Sequence, residues 1–365
     1  MDLLWWALLL SGGIYFAGVL WLWKGLGLPR PETVEALPSV SVIVAARDEQ
    51  EALPGCLQAL QGQDYQGPFE VVVVDDRSRD ETWRVILEIA AVWSDLKGIR
   101  AHAELRFKCP KKSALAQGIE ASSGDILLIT DADCLPPVAW VSSMAAHFAP
   151  GVGFVAGYAR PDPVTGFVAK LLAVDNIAVG ALGAGSIAMG SPFSCTGRNL
   201  GYRREVYDSV GGFSRIGHLI GGDDVYFMRL VAAVGGWQMV FNRALAVLSA
   251  PPATKMGDIV QQKIRHAAKG GHYRGGALYL AIGVYSFHFF IAWALLQMIW
   301  TGEWEIAVMA LWSIRWVVDL MLLWRMAMKT ERWLLRYLLA VEVVYIPYVL
   351  IFTVFGRLGW FRWKS

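Results

Sequence analysis

The chain has 365 residues, 17 of them Trp, a formal net charge of +2 and a mean hydropathy of +0.42. That length accommodates one sizeable soluble domain and several membrane spans, and so apolar a chain is not simply a soluble enzyme. The small charge, with basic residues gathered beside apolar runs, argues against nucleic acid and for anionic lipid headgroups as neighbours.

Leu3 to Trp23 carries no charge, which is long enough to cross a hydrocarbon core of roughly 30 Å. A cleaved signal peptide competes with this reading. Asp2 stands where a basic start is usual, and the apolar run exceeds an h-region of about 7 to 15 residues, so an anchor over 1–26 is expected. Pro29, Pro31 and Pro38 mark a linker over 27–39. The soluble domain, 40–250, opens on a strand at Ser41 to Ala46, followed by a helix from Glu49 to Leu60. A strand at Val71 to Val74, a helix near Glu81 to Trp93, a short strand near Ile99, a helix near Lys112 to Ile119 and a strand at Ile126 to Ile129 continue the pattern. This alternation predicts an α/β fold with a parallel sheet.

A helix near Val138 to His147 and a strand at Val152 to Tyr158 come next. The small-residue region Gly166 to Met189 contains GAGSIA, which fits the GxGxxA form of a dinucleotide fingerprint. A helix-like stretch precedes it where a strand is required, so the region is expected to lie on the membrane surface or pack against the spans. An amphipathic interfacial segment, 251–276, leads to three spans within 277–356 at Ala277 to Trp300, Ile306 to Trp324 and Tyr337 to Phe355, and then a tail, 357–365.

Lys24 and Arg30 follow the first span, and Lys263, Arg265, Lys269 and Arg274 precede the second, so the soluble domain is expected in the cytoplasm, at the inner membrane of a bacterial cell. Three C-terminal spans then leave Arg357, Arg362 and Lys364 outside, against the positive-inside rule. Cys56, Cys109, Cys134 and Cys195 show no CxxC spacing and read as packing residues. Arg315 and Asp319, four apart in a span, would share a helix face with Glu342 nearby in depth, to hold a lipid headgroup or to pair between helices.

The chemistry is concentrated at strand ends. VVVVDDRSRDET and, about fifty residues later, DILLITDADC each end a buried strand in acidic residues. Ligands bind at the carboxyl ends of such strands. Asp131 and Asp133 would repel by about 1 to 4 kcal/mol at roughly 4 Å, a cost that Mg²⁺ or Mn²⁺ with a diphosphate would remove. Capping of the next helix is the alternative for each acidic group.

CTGRNLGYRREVYDSVGGF at Cys195, GGDDVYFMRL at Gly221 and QQKIRH at Gln261 join SVIVAARDEQE, the Lys111 KKSAL segment and TDADC in an ordered set. Over about residues 40 to 270 this set resembles the family 2 glycosyltransferases. The resemblance implies the GT-A nucleotide-diphospho-sugar transferase fold, inserted between one N-terminal and about three C-terminal transmembrane helices. It also implies an inverting transfer from a nucleotide sugar, a UDP-sugar above all, and the neighbouring spans point to a lipid-linked or membrane-embedded acceptor.

On that resemblance, Asp76 reads the nucleotide base, the Ala45, Arg47 and Glu49 loop lines its pocket, and Lys111 binds the donor. Asp131 and Asp133 match the DxD pair that holds ribose and metal, and Asp224, beside Asp223, matches the general base. Thr196, Gly197, Arg198 and Asn199 fall on the acceptor side. Gln262 and Arg265 match the QxxRW motif, in which Arg faces the diphosphate, and His266 replaces the Trp. An imidazole offers less stacking surface to an acceptor sugar, which weakens the alternative of a processive polysaccharide synthase. A non-catalytic nucleotide-binding scaffold is a further alternative.

Overall fold

A computed structural model describes residues 3–29, 33–252, 255–268 and 275–360. Asp2, Arg30, Pro31, Lys269, Arg274, Arg362 and Lys364, used above for topology, lie outside the described residues. In chain order the elements are α1 (Leu3–Gly25), β1 (Val40–Ala46), α2 (Leu53–Gln61), β2 (Phe69–Asp75), α3 (Thr82–Ala90), β3 (Leu96–Arg100), α4 (Pro110–Glu120), β4 (Ile126–Asp131), β5 (Cys134–Leu135), α5 (Trp140–Ala145) and β6 (Val152–Pro161). Then follow α6 (Phe167–Ala188), β7 (Leu200–Arg203), α7 (Arg204–Ser209), α8 (Val225–Val234), β8 (Gln238–Ser249), α9 (Met256–Ala268), α10 (Gly276–Thr301), α11 (Ile306–Met326) and α12 (Leu338–Leu358). Two compact units result: Pro29–Asp162 with Pro192–Ala250, and Met1–Leu28 with Pro163–Ser191 and Pro251–Ser365.

The first unit is built on one sheet of order β3-β2-β1-β4-β7-β6-β8-β5. β3, β2, β1 and β4 are parallel, as the alternation predicts, but β7 runs antiparallel to both β4 and β6, so the sheet is mixed. Alternate side chains of each strand go to opposite faces. Val42, Val44, Val71, Val73 and Leu128 pack with Leu53, Leu57, Ile86 and Trp140 in one fully covered layer. On the other face α4 lies so close that a Cβ on Gly118 would fall 2.6 Å from Ile43 Cγ2.

α2 begins at Leu53 rather than near Glu49, because the backbone from Asp48 to Gln50 is engaged elsewhere. Asp48 N donates to Ser78 Oγ at 3.0 Å, Glu49 N to Thr82 Oγ1 at 2.8 Å and Gln50 N to Asp80 Oδ2 at 3.1 Å. β8 carries no clean alternation since a register shift opposite Gly157/Tyr158 interrupts it. There Asn242 is buried and donates to Ser143 Oγ at 2.8 Å while accepting from Ala244 N at 2.9 Å, the behaviour of a bulge.

In the second unit, five helices among the described residues are long and apolar enough to cross a membrane: Leu4–Gly25, Phe167–Ala188, Gly276–Thr301, Ile306–Met326 and Arg332–Leu358. α6 therefore groups with the long helices, not with the 40–250 domain in which its sequence position placed it. GAGSIA lies inside this helix and forms no strand-to-helix loop, which excludes a dinucleotide fingerprint. Its glycines serve close packing instead. A Cβ on Gly185 would fall 2.7 Å from Leu22 O, and one on Gly25 only 2.3 Å from Gly185 O.

Arg315 is fully buried on α11 and pairs with Glu342 of α12 and, at 3.6 Å, with Asp319. The Tyr15 hydroxyl of α1 donates to Asp319 at 2.6 Å. Ion pairs and the Tyr15 bond link these groups across three helices, which favours the inter-helix pairing over a headgroup site. Replacing Arg315 by Met strands two buried carboxylates, and we expect a loss of about 3 to 5 kcal/mol, read as a lower melting temperature in detergent. Replacing Arg315, Asp319 and Glu342 together by apolar residues should restore most of it.

Candidate active site

The register of the sheet assembles the site. Ala46 is paired with Asp75, and Ala45 with Asp131, so β1, β2 and β4 end at one edge. The loops after β1 and β2 are laced into one body. Besides the bonds from Asp48, Glu49 and Gln50, Arg79 N donates to Asp48 Oδ1 at 2.7 Å and Glu81 N to Gln50 Oε1 at 2.9 Å. Asp48 and Arg77 take positive φ values of 55° and 61°, unusual for residues with a Cβ and typical of functional turns.

Asp76 is buried, and its carboxylate accepts from Arg77 Nε at 2.9 Å. Burial raises its proton affinity above the ordinary Asp range, against the opposing charges of Arg77 and Arg47. Arg77, which belongs to none of the motif positions, is a candidate site residue by its pairing with Asp76. The signal was a cation directly after a buried acid at a strand end.

Lys111, on the first turn of α4, donates to Asp131 Oδ1 at 2.5 Å and lies 3.5 Å from Asp223 Oδ2. Burial lowers the proton affinity of its amine, but the charges of Asp131, Asp223 and Asp224 overcome that and hold it well above the ordinary Lys range. Gly197 packs on the same group: a Cβ there would fall 3.3 Å from Asp223 Oδ2, 3.6 Å from Lys111 Nζ and 3.8 Å from Asp224 Cβ. Five residues from four distant parts of the chain thus share one point.

Asp133 follows on the turn between β4 and β5, where burial and then the Asp131 charge raise its proton affinity, opposed by the Cys134 thiol and Arg198. Two carboxylates flanking Ala132, with hard oxygen donors and like charge only partly offset by Lys111 and Arg198, fit Mg²⁺ or Mn²⁺. Among the described residues no group of three or more His, Cys, Asp or Glu is placed to hold a metal, so such an ion needs further oxygens from substrate or water.

Asp224 is the N-cap of α8, its Oδ1 accepting from Val225 N at 2.6 Å. The two neighbours divide their tasks: Asp223 turns to Lys111, while Asp224 caps the helix with one oxygen. Thr196 and Arg198 form a local turn in which Arg198 Nε donates to Thr196 Oγ1 at 3.2 Å and Nη1 to Ser249 Oγ at 2.7 Å. Asn199 departs from its expected acceptor-side place. It is buried, accepts from Trp140 Nε1 at 2.9 Å and donates to Tyr158 O at 2.8 Å, so its side chain holds the core. Gln262, Arg265 and His266 lie on α9, in the unit of long helices, where a spacing of three puts Gln262 and Arg265 on one face.

Residues 41–211 match the family model of glycosyl transferase family 2. The match spans a little under half of the chain. Glycosyltransferase AglE of Haloferax volcanii is 29% identical over 236 residues, 63% of this chain and 72% of its own length. The β-monoglucosyldiacylglycerol synthase of Trichormus variabilis is 32% identical over 116 residues, 32% of this chain and only 24% of the synthase. Among solved structures, the mannosyltransferase PcManGT of Pyrobaculum calidifontis, in complex with GDP-Man and Mn²⁺, superposes with a TM-score of 0.62 at 22% identity, covering 94% of this chain and 96% of that one. The chain has a GT-A-like α/β fold accompanied by several long apolar helices.

The contact at Gly197 is open to test. Gly197→Val adds carbons between Lys111 and Asp223, and we expect Mn²⁺ with UDP or GDP to bind about tenfold or more weakly by calorimetry, a cost of about 1.4 kcal/mol. The melting temperature should stay near that of the unsubstituted chain.

Proposed function

We propose that the protein transfers a sugar, with inversion, from a nucleotide-sugar donor, a UDP-sugar in the first instance, to a lipid-linked or membrane-embedded acceptor. The observation that carries this reading is the convergence of Lys111, Asp131, Asp223 and Gly197 at the edge where β1, β2 and β4 end. Long apolar helices in the same chain favour a lipid acceptor, and the synthase relative's name specifies a glucosylated diacylglycerol.

In this reading Asp76, with Arg77 and the Ala45, Arg47 and Glu49 loop, receives the base. Asp131 and Asp133 would hold Mg²⁺ or Mn²⁺, which would supply positive charge to offset that of the departing diphosphate. Lys111 supplies a fixed cation beside it. Asp224 accepts the proton of the acceptor hydroxyl as that oxygen bonds the anomeric carbon and the bond to the diphosphate breaks. The α8 N-terminus and Lys111 hold the Asp224 and Asp223 carboxylates in place for this task. Gln262 and Arg265 face the diphosphate, and His266 in place of Trp favours single transfer over chain extension.

Asn caps a helix as well as Asp does, so Asp224→Asn separates capping from proton transfer. Release of UDP or GDP from a panel of nucleotide sugars with Mg²⁺ or Mn²⁺ should fall by about 10²- to 10⁴-fold in this variant, with donor binding retained. Turnover at the unsubstituted level would remove Asp224 from the base role. Chelation of divalent cations should abolish release by the unsubstituted chain, and one added sugar per acceptor, not a ladder, should be the product.

We also propose four spans, α1, α10, α11 and α12, with the soluble unit on the cytoplasmic side. α6, 22 residues and ~33 Å long, is flanked in sequence by β6 and β7, which pair in one sheet. Were it a span, residues 189–199 would have to recross the hydrocarbon as unpaired backbone, at several kcal/mol per unsatisfied group. An impermeant maleimide should therefore label Ser191→Cys from the same side of the membrane as Glu88→Cys. Labelling from opposite sides would make α6 a span.

A further inference from the structure

The lysine next to the donor-binding position is itself buried and bonded to backbone. Lys112 has no exposed surface, and its Nζ donates to Ile216 O at 2.8 Å and to Leu219 O at 2.9 Å. The ammonium also lies 5.9 Å from the ring centroid of Tyr226, at the start of α8. Taking an ammonium out of water is costly, and neutral carbonyl oxygens repay it less fully than a carboxylate would. A surface-facing lysine would be the default.

The bonds of Lys112 belong to a wider seam between the start of α4 and the segment that leads to Asp223. Lys108 N donates to Gly217 O at 3.0 Å, and the rings of Phe107 and Phe213 meet edge to face at 6.5 Å. Gly217 is so close that a Cβ there would fall 2.4 Å from Phe107 Cδ1. Beyond the seam the chain passes through Gly221 and Gly222, at φ 70° and 69°, before reaching Asp223 and Asp224. Paired glycines give that stretch little stiffness of its own. Its position is set by what holds it on either side.

We propose that Lys112 is a positioning residue, which ties the Ile216–Leu219 carbonyls to α4 and so fixes Asp223 and Asp224 against Lys111. The adjacent lysines divide the work: Lys111 meets the carboxylates, and Lys112 meets the backbone that carries two of them. This inference rests on the transfer reading above, in which Asp224 acts on the acceptor. The donor groups Asp76, Asp131 and Asp133 come from strand ends, and Lys111 keeps its own bond to Asp131, so the loss of Lys112 should act on turnover rather than on donor binding.

The test is Lys112→Met in the full chain. We expect kcat for diphosphate release with acceptor to fall about tenfold or more, while the donor KM and the binding of Mn²⁺ with UDP or GDP change less than about twofold. Amide hydrogen exchange should rise within residues 213–222 and stay unchanged in β1, β2 and β4, which a general loss of stability would not produce. An unchanged kcat, or exchange that rises everywhere, overturns the proposal.

Should Lys112→Met fail to bind Mn²⁺ with either nucleotide, Gly217→Ala decides the matter in the same way. Its backbone conformation accepts alanine, and the added methyl meets the Phe107 ring first. An unsubstituted chain that releases no diphosphate from any donor overturns the transfer reading, and this inference with it. Normal release by that chain and by both variants overturns this inference alone.

Discussion

Like charge crowded at one edge of a sheet is the constraint on which the rest of the soluble unit depends. In-register parallel pairing brings the ends of β1, β2 and β4 together, and with them Asp75, Asp76 and Asp131. Asp223 joins them from a loop far along the chain. Two such charges repel by about 4 kcal/mol at 4 Å in a partly shielded setting, a large part of a domain's net stability. The fold answers with cations placed one by one: Arg77 on Asp76, Lys111 between Asp131 and Asp223, and Arg198 in the field of Asp133. An arrangement that tolerates this much negative charge only with fixed counter-charge is well suited to a diphosphate accompanied by a divalent cation.

Precision at that edge comes from close approach. Gly197 admits the acidic loop to Lys111, Gly118 admits α4 to the sheet that Lys111 serves, and the 48–50 and 78–82 loops brace one another through reciprocal bonds. Each is a place where one added methyl or one lost hydrogen bond would move a charged group. The unit of long helices uses the same device for another end. Gly25 and Gly185 bring α1 and α6 into backbone contact, and the Arg315, Asp319, Glu342 and Tyr15 cluster joins α1, α11 and α12 through groups that lipid cannot solvate.

Much of this was legible in the residues. Continuous runs such as Val71 to Val74 announce strands covered on both faces, and the acids that end them announce where a ligand sits. The first four strands and their helices lie close to their expected places. Reading was poorer wherever distant partners decide the outcome. β7 and β8 lack clean alternation, since one reverses direction between β4 and β6 and the other is bulged around Asn242. Asn199 belongs to a motif beside the site, yet Trp140 and Tyr158 claim its amide for the core.

The sequence by itself determined that this chain combines an α/β domain with long apolar helices, because local hydrophobic period and the acids at strand ends are properties of short segments. It also determined the acidic clusters, whose residues are simply present. Only the tertiary structure decided which of Asp223 and Asp224 meets Lys111 and which caps α8, that Lys112 turns from the site into a backbone seam, and that α6 groups with the long helices. Each of these depends on where a side chain finds its partner across tens or hundreds of residues, and that is settled by packing and by the cost of leaving a buried charge or amide unsatisfied, not by its neighbours in the chain.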